Sequence, residues 1–210
     1  MKLKLTLLAI TLFLAACTPT NENPWNAETV CPESARGSFQ DERDDQWYNY
    51  TTIGNQVWMA ENLSYRATNS LCYDNDPANC EIYGRMYQFS DTSEFKTICP
   101  QGWHLPTQAE WDELTESMGG GEKKVSDKLR TKEDWWKRVS GTNVCNFTAL
   151  PGGTTGKIDE FNFINTSAHW WTSTRSARVK VYSVAVSGYY ESTGGIASLW
   201  SANSIRCVKD

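Results

Sequence analysis

The spacing of the cysteines constrains the fold of this 210-residue chain more than any other sequence feature. Seven cysteines are present, and apart from Cys17 they are spread over the region from Cys31 to Cys207. No two of them have the C-x-x-C spacing of a zinc site, and the two histidines, His104 and His169, are far apart in sequence. We therefore expect no metal ligation by these cysteines. Their use in disulfide bonds depends on whether the chain is exported.

The N-terminus carries the pattern of an export signal. Lys2 and Lys4 precede a 12-residue stretch at 5–16 whose only polar members are two threonines. This run is shorter than the roughly 20 apolar residues that span a bilayer, and it fits the apolar region of a signal peptide over residues 1–16. It ends in the sequence Leu-Ala-Ala-Cys at 14–17, which resembles the lipobox of bacterial lipoproteins.

The resemblance to a lipobox implies that the chain is cut before Cys17 and that this cysteine carries the lipid. Two or three acyl chains hold a protein stably on a membrane. Thr18, rather than an aspartate, follows the cysteine, which by the sorting rules of bacterial lipoproteins favours the outer membrane or the cell surface. The alternative is an ordinary secretory peptide, cut at the small residues, that leaves Cys17 free.

Removal of Cys17 leaves six cysteines, and an even number in an exported chain predicts three disulfide bonds. Six cysteines allow many pairings. In one possible set, Cys72–Cys80 closes a local, turn-rich loop, and Cys99–Cys207 ties the middle of the domain to its C-terminus. Cys31–Cys145 is then left by elimination. The sequence alone does not decide between this set and the other connectivities.

The net charge indicates which partners are excluded, and the composition along the chain indicates where the folded domain begins. The formal net charge of −5 argues against a nucleic-acid partner. With 40% hydrophobic and 21% charged residues, the chain has an ordinary globular composition. Residues 18–45 are polar and poor in apolar residues, so we expect 17–40 to be a lipid-anchored tether with little core of its own. The domain is then expected over 41–210.

Local patterns predict an α+β domain with one or two helices, short antiparallel strands and long loops. Apolar and polar residues on both sides of a Gly-Asn turn predict a β-hairpin from 46–53 and 56–59. A capping box at Thr107 and Glu110 starts a helix that ends at three consecutive glycines. A second, shorter helix is expected over 123–130. Further strands are expected over 147–150, 170–174, 181–186 and 204–208.

Seven short motifs, in order along the chain, resemble a known family. They are VWMAENL at 57–63, CYDN at 72–75, YGR at 83–85, CPQGWHLP at 99–106, FTALPGG at 147–153, WWTST at 170–174 and RCVKD at 206–210. Together they are similar to the Fibrobacter succinogenes major paralogous domain, which occurs on bacterial surface and secreted lipoproteins. The resemblance covers residues 41–210. It implies a C-type-lectin-like α+β fold stapled by disulfides, but no established general activity.

Enzymatic activity has little support from the residues. No G-x-S-x-G, P-loop or H-E-x-x-H motif occurs, and cysteines paired in disulfides supply no thiolate for nucleophilic catalysis. The sequence HLPT at 104–107 also resembles the helix entry of formylglycine-generating oxidoreductase domains. An enzyme of that type is the alternative, and it would need a reactive pair of free cysteines. We predict no catalytic residue and no cofactor, and we expect His104 to make a structural hydrogen bond.

Asp74, Asn75 and Asp76 begin like the oxygen-rich loop of a calcium site. Ala78 and Asn79 then occupy positions where an EF-hand has a ligand and a glycine. The resemblance to C-type lectins adds no site, because the Glu-Pro-Asn, Gln-Pro-Asp and Trp-Asn-Asp sequences of calcium-dependent lectins do not occur. We therefore expect no metal site.

The ten tryptophans indicate where a ligand could bind. Adjacent residues of a strand point to opposite faces, so Trp170 and Trp171 are not both expected to be buried in a one-sided core. An exposed indole offers a flat apolar face to a sugar ring or an apolar partner, whereas long loops that cover both faces would hide it. The ligand-binding candidates are Trp135, Trp136, Trp170, Trp171, Trp200 and Asn203.

These observations predict a cell-surface lipoprotein whose domain recognises a polysaccharide or another surface protein without catalysis. The membrane is reached through the lipid on Cys17, and no nucleic acid is involved. Besides the oxidoreductase, a second alternative is a structural protein of the envelope that has no soluble ligand.

Overall fold

The structure is a computed structural model that describes residues 25–89, 91–120, 122–136, 140–157, 160–187 and 193–210. The predicted signal peptide over 1–16 and the lipidation site Cys17 lie outside these residues. Among the helices of the described ranges, none is long and apolar enough to cross a membrane.

The described part of the chain is mostly β structure with a few helices. The α-helices are α1 (Ala27–Val30), α2 (Pro77–Tyr83), α3 (Gln108–Ser117) and α4 (Glu122–Leu129). The strands are β1 (Arg36–Asp41), β2 (Gln46–Ile53), β3 (Gln56–Met59), β4 (Ser70–Leu71), β5 (Met86–Tyr87), β6 (Trp103–His104), β7 (Gly152–Thr155), β8 (Phe161–Ile164), β9 (Ser167–Ala177), β10 (Lys180–Ser187), β11 (Thr193–Ser198), β12 (Asn203–Ser204) and β13 (Val208–Lys209). The short helices α1 and α2 add to the two that the sequence predicts.

Within the described residues the strands form two main sheets. The first has the order β1-β2-β3-β13-β6 and includes the predicted hairpin as β2 and β3. The second has the order β11-β10-β9-β12-β5-β4, and β7 joins it at β9 while pairing with β8. Most pairs are antiparallel, as predicted, but β12 and β7 each lie parallel to β9.

The C-terminal segment connects the two sheets instead of forming the single strand predicted over 204–208. Strand β12 pairs with β5 and β9 in the second sheet, whereas β13 pairs with β3 and β6 in the first. The intervening residues 205–207 are buried. The strand predicted over 147–150 is replaced by a loop, in which an isolated bridge joins Ala149 to Arg130.

Strand β9 is buried on both faces. Trp170 packs against Trp111 and Phe147, at ring-centroid distances of 5.4 and 5.9 Å. Trp171 packs on the opposite side against Phe89, at 5.8 Å. Both indoles are 0% exposed. The core is not one-sided, because a separate hydrophobic cluster covers each face of the strand. The prediction of Trp170 and Trp171 as ligand-binding residues is therefore wrong.

Residues 25–40 belong to the folded domain, which corrects this part of the tether predicted over 17–40 and the domain start at 41; residues 17–24 lie outside the described ranges. Strand β1 pairs with β2 along its whole length. The indole nitrogen of Trp25 donates a hydrogen bond of 3.0 Å to the carbonyl of Ser117, and Cys31 is buried in the core. The polar composition of this segment predicts a tether because β1 is an edge strand, and edge strands keep polar side chains toward solvent.

Helix α3 begins as predicted. The hydroxyl of Thr107 accepts a hydrogen bond of 3.2 Å from the Glu110 amide, and the Glu110 carboxylate accepts one of 2.7 Å from the Thr107 amide. Trp111 then lies on the buried face of the helix. The shorter helix is confirmed as α4, with Val125 and Leu129 directed into the core.

The described residues contain three disulfide bonds, which match the set considered from the sequence. They join Cys31 to Cys145, Cys72 to Cys80 and Cys99 to Cys207, with sequence separations of 114, 8 and 108. Two of the bonds therefore tie distant parts of the chain, and the third closes a local loop.

Candidate functional site

Two of the six predicted ligand-binding residues lie on the surface. Trp136 is 53% exposed and Trp200 is 67% exposed. The other four are buried and present neither a ring nor an amide to a ligand; they are Trp135, Trp170, Trp171 and Asn203. The two β9 tryptophans fill the core. Asn203 is used internally, where its side-chain oxygen accepts a hydrogen bond of 2.6 Å from the Thr154 hydroxyl.

The buried Trp135 holds the loop that exposes Trp136. The indole nitrogen of Trp135 donates a hydrogen bond of 3.0 Å to the Thr131 hydroxyl, and the Arg130 guanidinium lies 5.3 Å from a ring centroid of this indole. The backbone amide of Trp136 donates a hydrogen bond of 2.6 Å to the carbonyl of Asn165. The loop is thus fixed on both sides, and the Trp136 ring remains in solvent.

A second exposed ring lies near the end of β8, where the turn to β9 begins. Phe163 is 60% exposed, and its backbone φ of 68° is unusual for a bulky residue. The Thr166 amide closes the turn with a hydrogen bond of 3.1 Å to the Phe163 carbonyl, and Asn165 also has a positive φ, of 62°. Strained backbone of this kind clusters at binding and catalytic sites. Phe163 is therefore a candidate contact residue.

Tyr83 completes the group. At the end of α2, its hydroxyl donates a hydrogen bond of 3.1 Å to the side-chain oxygen of Asn165. Burial raises the pKa of Tyr83, and the negative charge of Asp134 raises it further. The phenol therefore keeps its proton at neutral pH and acts as a donor. We refer to Tyr83, Trp136, Phe163 and Asn165 as the Asn165 site.

Asn165 connects the three rings and keeps a donor for a ligand. Its backbone carbonyl and its side-chain oxygen accept from Trp136 and Tyr83 respectively. Asn165 is exposed, and its side-chain nitrogen has no hydrogen-bond partner in the part of the chain that the structure describes. The site thus contains exposed apolar rings and an exposed amide donor, the kinds of group that contact a sugar ring and its hydroxyl groups.

The ring of Phe163 lies close to the ring of His169, which is uncharged. The rings of Phe163 and His169 lie 6.0 Å apart with an interplanar angle of 32°. Burial lowers the pKa of His169 to about 4, so this imidazole is neutral at physiological pH. One of its ring nitrogens lies 2.7 Å from the Ser167 hydroxyl. The His169 imidazole beside the exposed Phe163 ring therefore carries no charge.

Trp200 lies in a different surface region, in the turn between β11 and β12. Its carbonyl accepts a hydrogen bond of 2.8 Å from the Gln88 side chain. The exposed Val179 lies nearby, because its carbonyl accepts a hydrogen bond of 3.0 Å from the amide of Leu199. No ring contact or hydrogen bond within the described residues joins Trp200 to the Asn165 site, so this tryptophan stands apart.

The other residues considered from the sequence have structural roles. Asp76 caps α2 by accepting a hydrogen bond of 3.0 Å from the Ala78 amide. His104 makes the predicted structural contacts, since its ring nitrogens each lie 2.7 Å from a carboxylate oxygen, one of Asp210 and one of Glu110. Over the described ranges, no group of three or more His, Cys, Asp and Glu side chains could hold a metal ion.

The sequence predicts one member of the Asn165 site, Trp136, and misses the other three. Asn165 and Thr166 between two strands are a turn signal, but nothing in the pattern shows that the preceding Phe163 adopts a positive φ. Tyr83 belongs to the YGR motif at 83–85, one of the seven family motifs, and the motif does not indicate a binding role. Only the packing of α2 against the β8–β9 turn brings it to the others.

The family of the chain follows from comparison with known proteins. The model of the Fibrobacter succinogenes major domain matches residues 51–209. The chain belongs to this family. No curated protein and no solved structure matches it.

The Fibrobacter succinogenes major domain includes all four residues of the Asn165 site. The matched region begins within β2 and ends at β13. Helix α1, strand β1 and Cys31 precede it and pack on it, so the folded unit of this chain is larger than the matched domain.

Proposed function

We propose that this protein is a lipid-anchored lipoprotein of the outer membrane or cell surface that recognises a polysaccharide without catalysis. The observation that carries the proposal is the Asn165 site, where Trp136 and Phe163 have exposed rings, the Trp136 backbone amide bonds to Asn165, and the Asn165 side chain is itself exposed. Sugar rings have an apolar face and a rim of hydroxyl groups. They stack on aromatic rings and bond to planar amides, as these residues allow.

A polysaccharide fits the surface better than a partner protein does. A stable protein interface buries about 800 Å² on each partner and has an apolar centre. The other exposed large apolar side chains lie on separate elements, including Trp47 on β2, Ile82 on α2 and Ile196 on β11. Single exposed rings suffice to stack on sugars, so a polysaccharide needs no extended apolar centre.

A formylglycine-generating-type oxidoreductase is the alternative from another class. Such an enzyme needs a reactive pair of thiols. All six cysteines from Cys31 to Cys207 are in disulfide bonds, which supports a non-catalytic role. Thiol titration of the exported, lipidated protein in denaturant should count none. Two reactive thiols would favour the oxidoreductase instead.

We also infer a C-type-lectin-like arrangement of the domain. What supports it is the mixed fold, with antiparallel strands, few helices and long loops. A disulfide between Cys99 and Cys207 ties its middle to its C-terminus. In such an arrangement the loops are free to vary while the paired strands stay fixed.

Retention on insoluble polysaccharides tests the function. We expect the wild type to be retained on at least one of cellulose, chitin, xylan and starch, and Trp136→Ala to lose most of that retention. The matched control is Trp200→Ala, which removes another exposed tryptophan, 67% exposed, in the separate β11–β12 turn. Equal retention of wild type and Trp136→Ala contradicts the proposed site. Retention on none of the four favours a structural envelope protein.

A further inference from the structure

A groove lies beside β1 and β2, outside the Asn165 site. Its volume is about 420 Å³, within the range of about 300–1,000 Å³ that small-molecule sites occupy. Its lining is mainly polar and includes Arg36, Ser38, Asn49, Tyr50, Glu61 and Asn146.

The polar groups of the groove can both donate and accept hydrogen bonds. The Asn49 amide donates to the Glu61 carboxylate, which orients both side chains at the wall. Asn146 is exposed, and its side chain has no hydrogen-bond partner among the described residues. The Arg36 guanidinium donates to the backbone carbonyls of Cys31 and Val144, at 3.4 and 3.3 Å. The groove therefore holds one cation, one carboxylate and two amides.

One wall of the groove is fixed in advance. Asn146 and Thr148 have positive φ angles of 53° and 55°. Cys145, in a disulfide bond with Cys31, and Phe147 alternate with them and are both 0% exposed. The buried guanidinium of Arg206 also holds the carbonyls of Phe147 and Thr148. A wall of this kind loses little conformational entropy when a ligand binds.

Residues that line a smaller cleft link the groove to the Asn165 site. This cleft of about 150 Å³ shares Glu61 and Thr148 with the groove, and it also contacts Tyr83. The hydroxyl of Tyr83 in turn bonds to Asn165. Polar and aromatic residues thus follow one another from the groove, through the cleft, to Trp136.

We propose that the groove and the Asn165 site are two subsites of one binding cleft, and that the ligand is a neutral polysaccharide chain contacting both. This inference rests on the proposed function. The hydroxyl groups of a neutral sugar donate to the Glu61 carboxylate and accept from Arg36 and the amides, so they satisfy groups of both signs. A chain, rather than a terminal sugar, reaches from the groove to the stacking rings.

The test compares groove and ring variants on the four insoluble polysaccharides named above, by binding isotherms. The groove variant is Asn49→Ala with Asn146→Gly, in which glycine keeps the left-handed backbone. Glu61→Gln is a second, milder groove variant. Asn55→Ala, at the exposed β2–β3 turn, is the matched control. The unfolding midpoint of every variant is also measured, so that weaker binding by a folded variant is distinguished from weaker binding caused by unfolding.

We expect the groove variant to bind about tenfold more weakly, with Glu61→Gln weaker than wild type and the control unchanged. Wild-type binding by folded groove variants, together with loss in Trp136→Ala, overturns the shared cleft and leaves the proposed function intact. Loss in the groove variants with full binding by Trp136→Ala overturns both the shared cleft and the Asn165 site. Retention of the wild type on no polysaccharide overturns both proposals.

Discussion

Asn62 accepts hydrogen bonds from Arg206, a buried cation that no carboxylate contacts among the described residues. Its side-chain oxygen accepts from the Arg206 guanidinium, at 2.7 and 3.2 Å, and from the indole nitrogen of Trp170, at 2.8 Å. Its nitrogen donates to the Tyr83 carbonyl at 2.8 Å. Burial lowers the pKa of Arg206 to about 9, although the charge of Glu61 opposes this shift. Arg206 therefore stays charged at neutral pH.

Replacement of Asn62 should destabilise the fold strongly. Asn62→Ala leaves the guanidinium and the indole nitrogen without this acceptor, and the expected loss is about 3–5 kcal/mol. Urea unfolding measures the effect. The exposed Asn55→Ala serves as control and should change stability by less than about 0.5 kcal/mol. A loss below about 1 kcal/mol in Asn62→Ala would show that the network does not hold Arg206.

The pH dependence of stability should report His104. Burial alone would lower its pKa, but hydrogen bonds to Glu110 and Asp210 outweigh burial and raise it. The folded protein therefore binds this proton more tightly than the unfolded chain. The stabilisation is complete below the unfolded value of about 6.5 and is lost as the pH rises through the folded pKa. Solvent screening keeps it below about 1 kcal/mol.

Urea midpoints of the wild type and His104→Gln between pH 6 and 9 measure this contribution. The wild type should lose stability relative to the variant as the pH rises. Parallel curves for the two proteins would contradict the assigned role of His104.

Exposure of individual side chains could be predicted from the sequence only in part. Trp136 is exposed as expected, but its neighbour Trp135 turns inward to contact Arg130 and Thr131. Adjacent tryptophans in a loop carry no periodicity that separates inner from outer positions. Exposure there depends on contacts with residues that the local pattern does not include.

At the scale of elements, the N-terminus of α3 gives a direct test. Thr107→Ala removes the hydroxyl that accepts from the Glu110 amide, and we expect a loss of about 1 kcal/mol. Thr107→Ser keeps the hydroxyl and should stay close to the wild type. Urea unfolding of both variants distinguishes the contribution of the capping hydroxyl from that of the methyl group. Equal losses of stability in both variants would assign the effect to the methyl group.

Elements set by local sequence are predictable here, and elements set by distant pairing are not. The β2–β3 hairpin and the start of α3 follow from a turn and a capping box within a few residues. The segment after 202 has no local signal for a break. It divides into β12 and β13 because its two ends pair with strands of different sheets.

At the scale of the whole molecule, the disulfides should contribute according to loop length. On the chain-entropy model, the loop closed by Cys31 and Cys145, with a separation of 114, contributes about 5 kcal/mol, and the Cys72–Cys80 loop, with a separation of 8, about 2.6 kcal/mol. Paired Cys→Ala variants compared by urea unfolding should therefore lose stability in this order. The reverse order would mean that loop closure does not govern the effect.

Removal of metal ions should leave polysaccharide retention unchanged. The described residues contain no group of three His, Cys, Asp or Glu side chains that could hold a metal ion, and the Asn165 site consists of rings and amides. Retention in the presence and absence of EDTA measures this directly. A loss with EDTA that calcium restores would contradict a site built only from these residues.

Whether an aromatic ring at position 136 is required tests the central claim most directly. Wild type, Trp136→Phe and Trp136→Ala are compared on the polysaccharide that retains the wild type, with unfolding midpoints measured in parallel. We predict that phenylalanine keeps most of the retention and alanine loses it, at unchanged stability. Equal retention of all three proteins would contradict recognition through the Asn165 site.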